Sequence, residues 1–461
     1  STTATDAYLA PKLAAYLKNL GGKVEEAGMP SPLIMQSAGG VVTIEDAVED
    51  AAAFVLSGPA GGVVGAAYVA GLGGHRDLLT FDMGGTSTDV APVVGGEAQT
   101  STETVIAGVP IKLPMVDVHT VSAGGGSIAW ADAGGALRVG PHSAGAEPGP
   151  AGYDKGGEEP TVTDANLLLG YLADAAELGG EVVLKWELSE KALDALGKKV
   201  GLDTEETALG IVRVADAEMV RALRVISVER GLDPRDFALL AFGGAGGMHA
   251  CTLAEELGMS IVLVPRVGGV LSALGLAISD LRHDYVHPYL ADLADVKAVE
   301  MKEIFEKMES TAARALEGPE YTRRADLRYQ GQSFELTVEA ERPLEVEKLE
   351  ERLHAAHERR YGYRMDDEPV ELVNMRLIAT VPVEKPELDE PPVEGDAESG
   401  RREANFDGEW IEVPVLDRER MGKGSEVEGP AIVEFKESTC VVRPGWRGAV
   451  DGVGTLVLEK R

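Results

Sequence analysis

The chain has 461 residues, 44% of them hydrophobic, with 77 acidic side chains against 43 basic ones and a formal net charge of −34. That surplus excludes a nucleic-acid partner, because phosphate backbones demand a basic face. No apolar run is long enough to cross a membrane, and two distant cysteines, Cys251 and Cys440, make neither a disulfide framework nor a metal cluster. The length predicts about three domains. The N-terminus lacks the basic-then-apolar pattern of a secretory signal, so the chain is expected in the cytoplasm.

Ala7, Leu9, Leu13, Leu17 and Leu20 recur at helical spacing and predict a helix within 5–28, stopped by Gly21-Gly22. A short strand over 32–37 follows, then a helix over 44–53 capped by Thr43. Ser57-Gly58-Pro59-Ala60-Gly61-Gly62 opens an Ala/Val-rich helix over 63–72. Its glycines read equally as an anion site at a helix N-terminus or as a close-packing surface.

The most informative stretch is Leu78–Val90. It starts as an apolar strand, reaches Asp82, breaks at Gly84-Gly85, offers Thr86, Ser87 and Thr88, and ends in Asp89-Val90. Two glycines and a run of hydroxyls between carboxylates suit a phosphate cradle, with Asp82 or Asp89 on a hydrated magnesium ion. The plainer reading is a hairpin with a polar tip. No Gly-Lys-Ser/Thr follows, so this is not a P-loop.

Asp117 and His119 sit two apart in a predicted strand and would share one face, followed by the turn Gly124-Gly125-Gly126. With His142, from the Pro/Gly-dense loop 140–150, they form a candidate transition-metal set, zinc included; the alternative is a structural Asp–His pair. Thr161 caps a helix to about residue 172, and helices are predicted over 188–199 and 204–230. The strand 237–242 runs into Gly243-Gly244-Ala245-Gly246-Gly247, a glycine turn fit for a nucleoside, before a helix to about residue 257.

From about residue 290 the composition changes. A charged helix over 297–316, a strand over 324–341 and a helix over 344–360 precede Tyr361-Gly362-Tyr363. Residues 386–408 read as a linker, and the last fifty as short strands. The predicted division is 1–290, an α+β domain over 291–385, and a linker with a β-rich domain over 386–461.

The ordered clusters Asp6-Ala7-Tyr8 after Ser1-Thr2-Thr3, Met35-Gln36-Ser37, Ser57–Gly62, Phe81–Asp89, Asp117-Val118-His119, Gly124–Ala129, Thr163–Asn166, Phe242–Gly246, Arg282–Tyr285, Tyr361–Tyr363 and Gly429–Ala431 resemble the hydantoinase/5-oxoprolinase family. The match is to its hydantoinase A-like subunit, which is also related to the acetone carboxylase beta subunit. The resemblance implies an α/β, actin/hexokinase-like ATPase fold over 1–290. On that pattern Asp82, Asp89 and Thr86 are catalytic, and ATP with Mg2+ lies against Gly84, Gly85, Thr86 and Ser87. Gly243, Gly244, Ala245 and Gly246 are then the adenosine loop.

The implied activity is ATP-dependent opening of a cyclic amide, by phosphorylation of its oxygen and hydrolysis with a hydantoinase B-like subunit. The rivals are an ATP-dependent ketone carboxylase subunit and a non-catalytic structural lobe. The first phosphate loop of the family, Asp-x-Gly-Gly-Thr, has no match after Ser1, so a missing N-terminal lobe is expected on a longer chain or another subunit. Gly152 stands where relatives carry Cys, and Ala38 and Gly247 replace the Asn and Pro common in those loops.

Overall fold

The computed structural model describes residues 2–102, 104–106, 108–175, 177–178, 182–393 and 395–461. Ser1, which opens the first family motif, and Glu394, in the predicted linker, lie outside them. The fold is mixed α/β, in two compact units that interleave along the chain. Ser1–Val55 joins Ile278–Lys385, and Leu56–Ala277 joins Pro386–Arg461. The expected boundary at 385/386 coincides with a junction between the units, whereas residues 1–290 contain parts of both.

In the smaller unit the first helix is Thr2–Glu26 and runs straight through Gly21-Gly22. Its stop is Gly28, whose φ of 68° only glycine adopts without strain. Thr43 caps the helix Ile44–Glu49 by accepting from the Asp46 N–H at 3.3 Å. The sheet is six-stranded, in the order Ile34–Met35, Val41–Val42, Leu281–Asp292, Val370–Val381, Glu320–Tyr329, Leu336–Glu339. Where one strand over 324–341 was expected, there is an antiparallel hairpin with Leu327 opposite Leu336. Helices Ala298–Ala315 and Val346–Tyr361 bury Met301, Phe305, Leu349 and Leu353 in this unit's core.

The larger unit is built on a nine-stranded mixed sheet. Leu78–Met83 and Ile261–Pro265 flank Ala238–Phe242 in parallel, and Thr455–Lys460 adds antiparallel to Ile261–Pro265. Ala238–Phe242 and Ile261–Pro265 are continuous apolar runs, as expected of a sheet covered on both faces, and Leu78–Met83 is broken only by Thr80 and Asp82. Helix Thr204–Ile226 starts from a capping box of Asp203 and Glu206. It buries Ile211, Ala215, Met219, Leu223 and Ile226 at three- and four-residue spacing.

The Ser57–Gly62 cluster is not a loop. It is the first turn and a half of the helix Ser57–Leu72, and its glycines serve packing. A side chain at Gly61 would lie 3.1 Å from the Ser272 carbonyl oxygen, and one at Gly62 3.0 Å from the Phe242 ring. From the facing helix Leu271–Ala277, a side chain at Gly275 would overlap the carbonyl oxygen of Gly61. The predicted linker is also tied down: Glu390 is buried and paired with Arg266 and Arg418. Among the described residues no helix is long and apolar enough to cross a membrane.

Candidate active site

Leu78–Met83 and Thr88–Val94 form a hairpin whose register sets Asp82 directly opposite Asp89. On its other side Asp82 is opposite Phe242, the last residue of the parallel strand Ala238–Phe242. Both carboxylates are only partly exposed. Burial, and then the neighbouring charge of Asp89, raise the Asp82 pKa to about 6. Asp89 is also raised, first by burial, with partial relief from the Thr120 hydroxyl that donates to it at 2.5 Å. Two desolvated carboxylates facing each other form a site that a cation would stabilise.

The tip of the hairpin is held from behind. The Gly84 N–H donates to the Ser87 carbonyl at 3.0 Å. The N–H groups of Gly125 and Gly126 donate to the carbonyls of Gly84 and Gly85 at 3.0 and 2.6 Å. A side chain at Gly124 would come within 2.7 Å of the Thr86 carbonyl carbon, so the triple glycine is what permits this contact. Thr163, in the helix Val162–Leu168, donates from both its N–H and its hydroxyl to the Gly125 carbonyl, at 2.7 and 2.9 Å. The N–H groups of Gly85, Thr86 and Ser87 donate to no acceptor among the described residues, and Gly85 and Thr86 are exposed.

Gly243 closes the floor. It has φ 77°, and a side chain there would overlap Asp82 Oδ1 and lie 2.5 Å from the Met83 carbonyl oxygen. The expected glycine turn is instead the start of the helix Gly243–Leu257, whose N-terminus thus abuts Asp82. Of the four residues expected to meet a nucleoside, Gly243 and Gly244 reach the surface. Ala245 and Gly246 are buried, and Gly246 faces the Phe81 carbonyl.

The proposed metal set does not assemble. The Val118 N–H donates to the Val116 carbonyl at 2.8 Å, a tight turn that breaks the strand between Asp117 and His119. Asp117 turns to Arg230 at 2.9 Å, while His119 begins a separate strand opposite Val90. His142 is exposed on the strand Leu137–Ser143, not in a loop. Among the described residues no group of three His, Cys, Asp or Glu converges. There is also no room for the Cys that the resemblance led one to expect at position 152: a side chain at Gly152 would stand 2.5 Å from Ser189 Oγ. That hydroxyl and the Gly152 N–H both donate to Asp164, at 2.6 and 2.8 Å.

Sequence reasoning missed a buried group behind this floor. His249 Nδ1 donates to Asp216 at 2.6 Å, and Asn166 Nδ2 donates to His249 Nε2 at 3.3 Å. Its signal was present, since His249 lies on the inner face of the helix that opens at Gly243. It also missed Thr120, which holds Asp89, and gave Thr163 no role beyond its place in the Thr163–Asn166 cluster, where it holds the glycine strap.

Two family descriptions match in succession, Hydantoinase/oxoprolinase over residues 1–285 and its C-terminal domain over 295–460. The caprolactamase subunit alpha of Pseudomonas jessenii is 36% identical over 99% of this chain and 69% of its own length. The crystal structure of the ATP-dependent caprolactamase from that organism superposes with a TM-score of 0.89 at 35% identity, over 100% of this chain and 70% of the other. 5-oxoprolinase 1 of Arabidopsis thaliana is 34% identical, over 99% of this chain but 38% of its own. A nucleotide-free structure of acetone carboxylase matches at a TM-score of 0.79 and 27% identity, over 96% of this chain and 67% of the other. The chain belongs to the hydantoinase/oxoprolinase family.

Proposed function

We propose that this chain is the ATP-handling subunit of an enzyme that opens cyclic amides of hydantoin, 5-oxoproline or lactam type, built on an actin/hexokinase-like lobe. The observation that carries the reading is the Asp82–Asp89 pair beside three backbone N–H groups that donate to no acceptor among the described residues. Asp82 and Asp89 would hold hydrated Mg2+, and the N–H groups of Gly85, Thr86 and Ser87 with the Thr86 hydroxyl would take phosphate oxygens. Gly243 and Gly244, with no side chain in the way, would face the nucleoside. Bound there, Mg-ATP supplies the phosphoryl group that turns an inert amide oxygen into a leaving group. The chain's own part is to fix both carboxylates on paired strands and keep the hairpin tip rigid through Gly124–Gly126, so the donors need no rearrangement. A hydantoinase B-like subunit would complete hydrolysis. A transition metal has no place in this reading, because Asp117, His119 and His142 stand apart.

A ketone carboxylase is the second reading, favoured by the fold shared with acetone carboxylase. The test is ADP release by the chain, alone and with a companion subunit, on hydantoin, 5-oxoproline, caprolactam and acetone. Ring-opened amino acid is the expected product. A β-keto acid formed from acetone and bicarbonate would replace this reading with the second. No ATP hydrolysis in any combination would reduce the chain to a structural lobe.

A further inference from the structure

The larger unit has an open-sided cleft of about 610 Å³, separate from the Asp82 hairpin and within the size range of small-molecule sites. It lies among the helices Val162–Leu168, Trp186–Val200 and Thr204–Ile226 and the strands Glu398–Phe406 and Glu409–Asp417. Two tryptophans line it: Trp186, at the start of its helix, and Trp410, which is 42% exposed. Trp410 is held in place by donating its indole N–H to Glu205 at 3.0 Å, and Asn405 donates to the same carboxylate at 2.7 Å. The exposed part of the Trp410 indole, with the half-buried Trp186 beside the cleft, gives a flat apolar body a surface to pack on.

Arg402 supplies the polar end. Its guanidinium pairs with Glu434, while its Nη1 is buried without a hydrogen-bond partner among the described residues. Arg402 also lines the cleft, so its guanidinium can donate to a carbonyl oxygen brought into it. The charge of the walls restricts what carries that oxygen. Five carboxylates line the cleft against two guanidiniums, so an anion would be repelled. Glu190 and Glu403, both exposed on the lining, are acceptors for an N–H.

We propose that this cleft is a second small-molecule site, which takes an uncharged amide: the ring against Trp186 and Trp410, the carbonyl on Arg402, and the N–H toward Glu190 or Glu403. The choice of a cyclic amide over other uncharged carbonyl compounds rests on the function proposed above. The site would sense that substrate class away from the Asp82 hairpin.

The test is a nucleotide-free calorimetric and tryptophan-fluorescence titration of the full chain with 2-piperidone. Glutarate and 5-aminopentanoate serve as the anionic and ring-opened comparators. Saturable lactam binding is expected, equal in wild type and Asp82→Asn, and at least tenfold weaker in both Arg402→Met and Trp410→Leu. Thermal melts identify a variant that fails to fold, and Glu190→Gln with Trp186→Phe then replaces it. No saturable binding, binding lost in Asp82→Asn, or tighter binding of either comparator would overturn the proposal. The failure of the ATP-dependent reading shows separately, as absent lactam-stimulated ADP release, because this titration contains no nucleotide.

Discussion

Asp82 holds its proton to about pH 6, where a free aspartate loses it near 3.8. Because the folded pKa is the higher one, the protonated form stabilises the fold fully below about pH 3.8. That contribution is lost as pH rises through 6, and by linkage amounts to roughly 2–3 kcal/mol. Asp82→Asn should therefore melt at the same temperature as wild type near pH 4 and above it by pH 8, while ATP turnover falls at least about a hundredfold. A variant turning over ATP within twofold of wild type would remove Asp82 from the site. Since burial and then the charge of Asp89 raise the Asp82 pKa to about 6, Mg2+ affinity should rise as pH climbs through 6. A flat profile in Mg2+ titrations between pH 5 and 7.5 would contradict the shared cation site. The glycines beside them separate into two kinds. Gly243→Ala combines a left-handed φ with a collision against Met83, and should cost at least about 2 kcal/mol in chemical denaturation. At Gly244 an added side chain meets nothing nearer than 3.7 Å. Gly244→Val should thus leave stability within about 1 kcal/mol while lowering nucleotide affinity in calorimetry; unchanged affinity would exclude that residue from the nucleoside site.

At the scale of elements, most helices and the central hairpin were legible because their signals are local. Thr43 and Thr161 cap where they should, and the apolar spacing of Thr204–Ile226 is plain in the residues. What was not legible was the use to which glycine is put. In Ser57–Leu72 and Gly243–Leu257 glycine runs lie inside helices, against their poor intrinsic propensity, and at Gly61, Gly65 and Gly247 the reason is neighbouring backbone too close for a side chain. The Asp117–His119 face failed for the opposite reason. A three-residue turn centred on Asp117 has no composition signal in a Val-rich run, so strand alternation was carried past the point where the strand ends. The packing account predicts that Gly275→Ala, a one-carbon change in the short helix Leu271–Ala277, destabilises the protein by about 3 kcal/mol. Gly71→Ala, with nothing within 4 Å of the added carbon, should be neutral or stabilising. Equal midpoints for the two in urea would mean that the Gly61–Gly275 contact is not a constraint.

Across the whole molecule the unreadable part is which distant segments share a sheet. Nothing in Thr455–Lys460 indicates that it pairs with Ile261–Pro265, nearly two hundred residues earlier, because an alternating strand looks alike whatever its partner. That pairing returns the C-terminal segment to the larger unit, and buried charges hold it there. Arg418, fully buried, donates to the Met421 and Gly454 carbonyls at 2.6 and 2.7 Å and pairs with Glu390 at 3.2 Å. The last strand also fills core volume, since Leu456 and Leu458 are completely buried. Deleting residues 455–461 should therefore do more than fray an end. It leaves the N–H and C=O groups of Ile261–Pro265 unpaired on that edge and opens a cavity of two leucines, a loss of about 4–8 kcal/mol by large-to-small precedent. That is comparable to the whole stability of a typical domain. The smaller unit has a separate core around Phe305 and Leu349, so hydrogen exchange should show protection lost over 56–277 and retained over 298–381. Uniform loss would mean that the two units unfold as one, and full protection over 238–265 would mean that the C-terminal strand is dispensable.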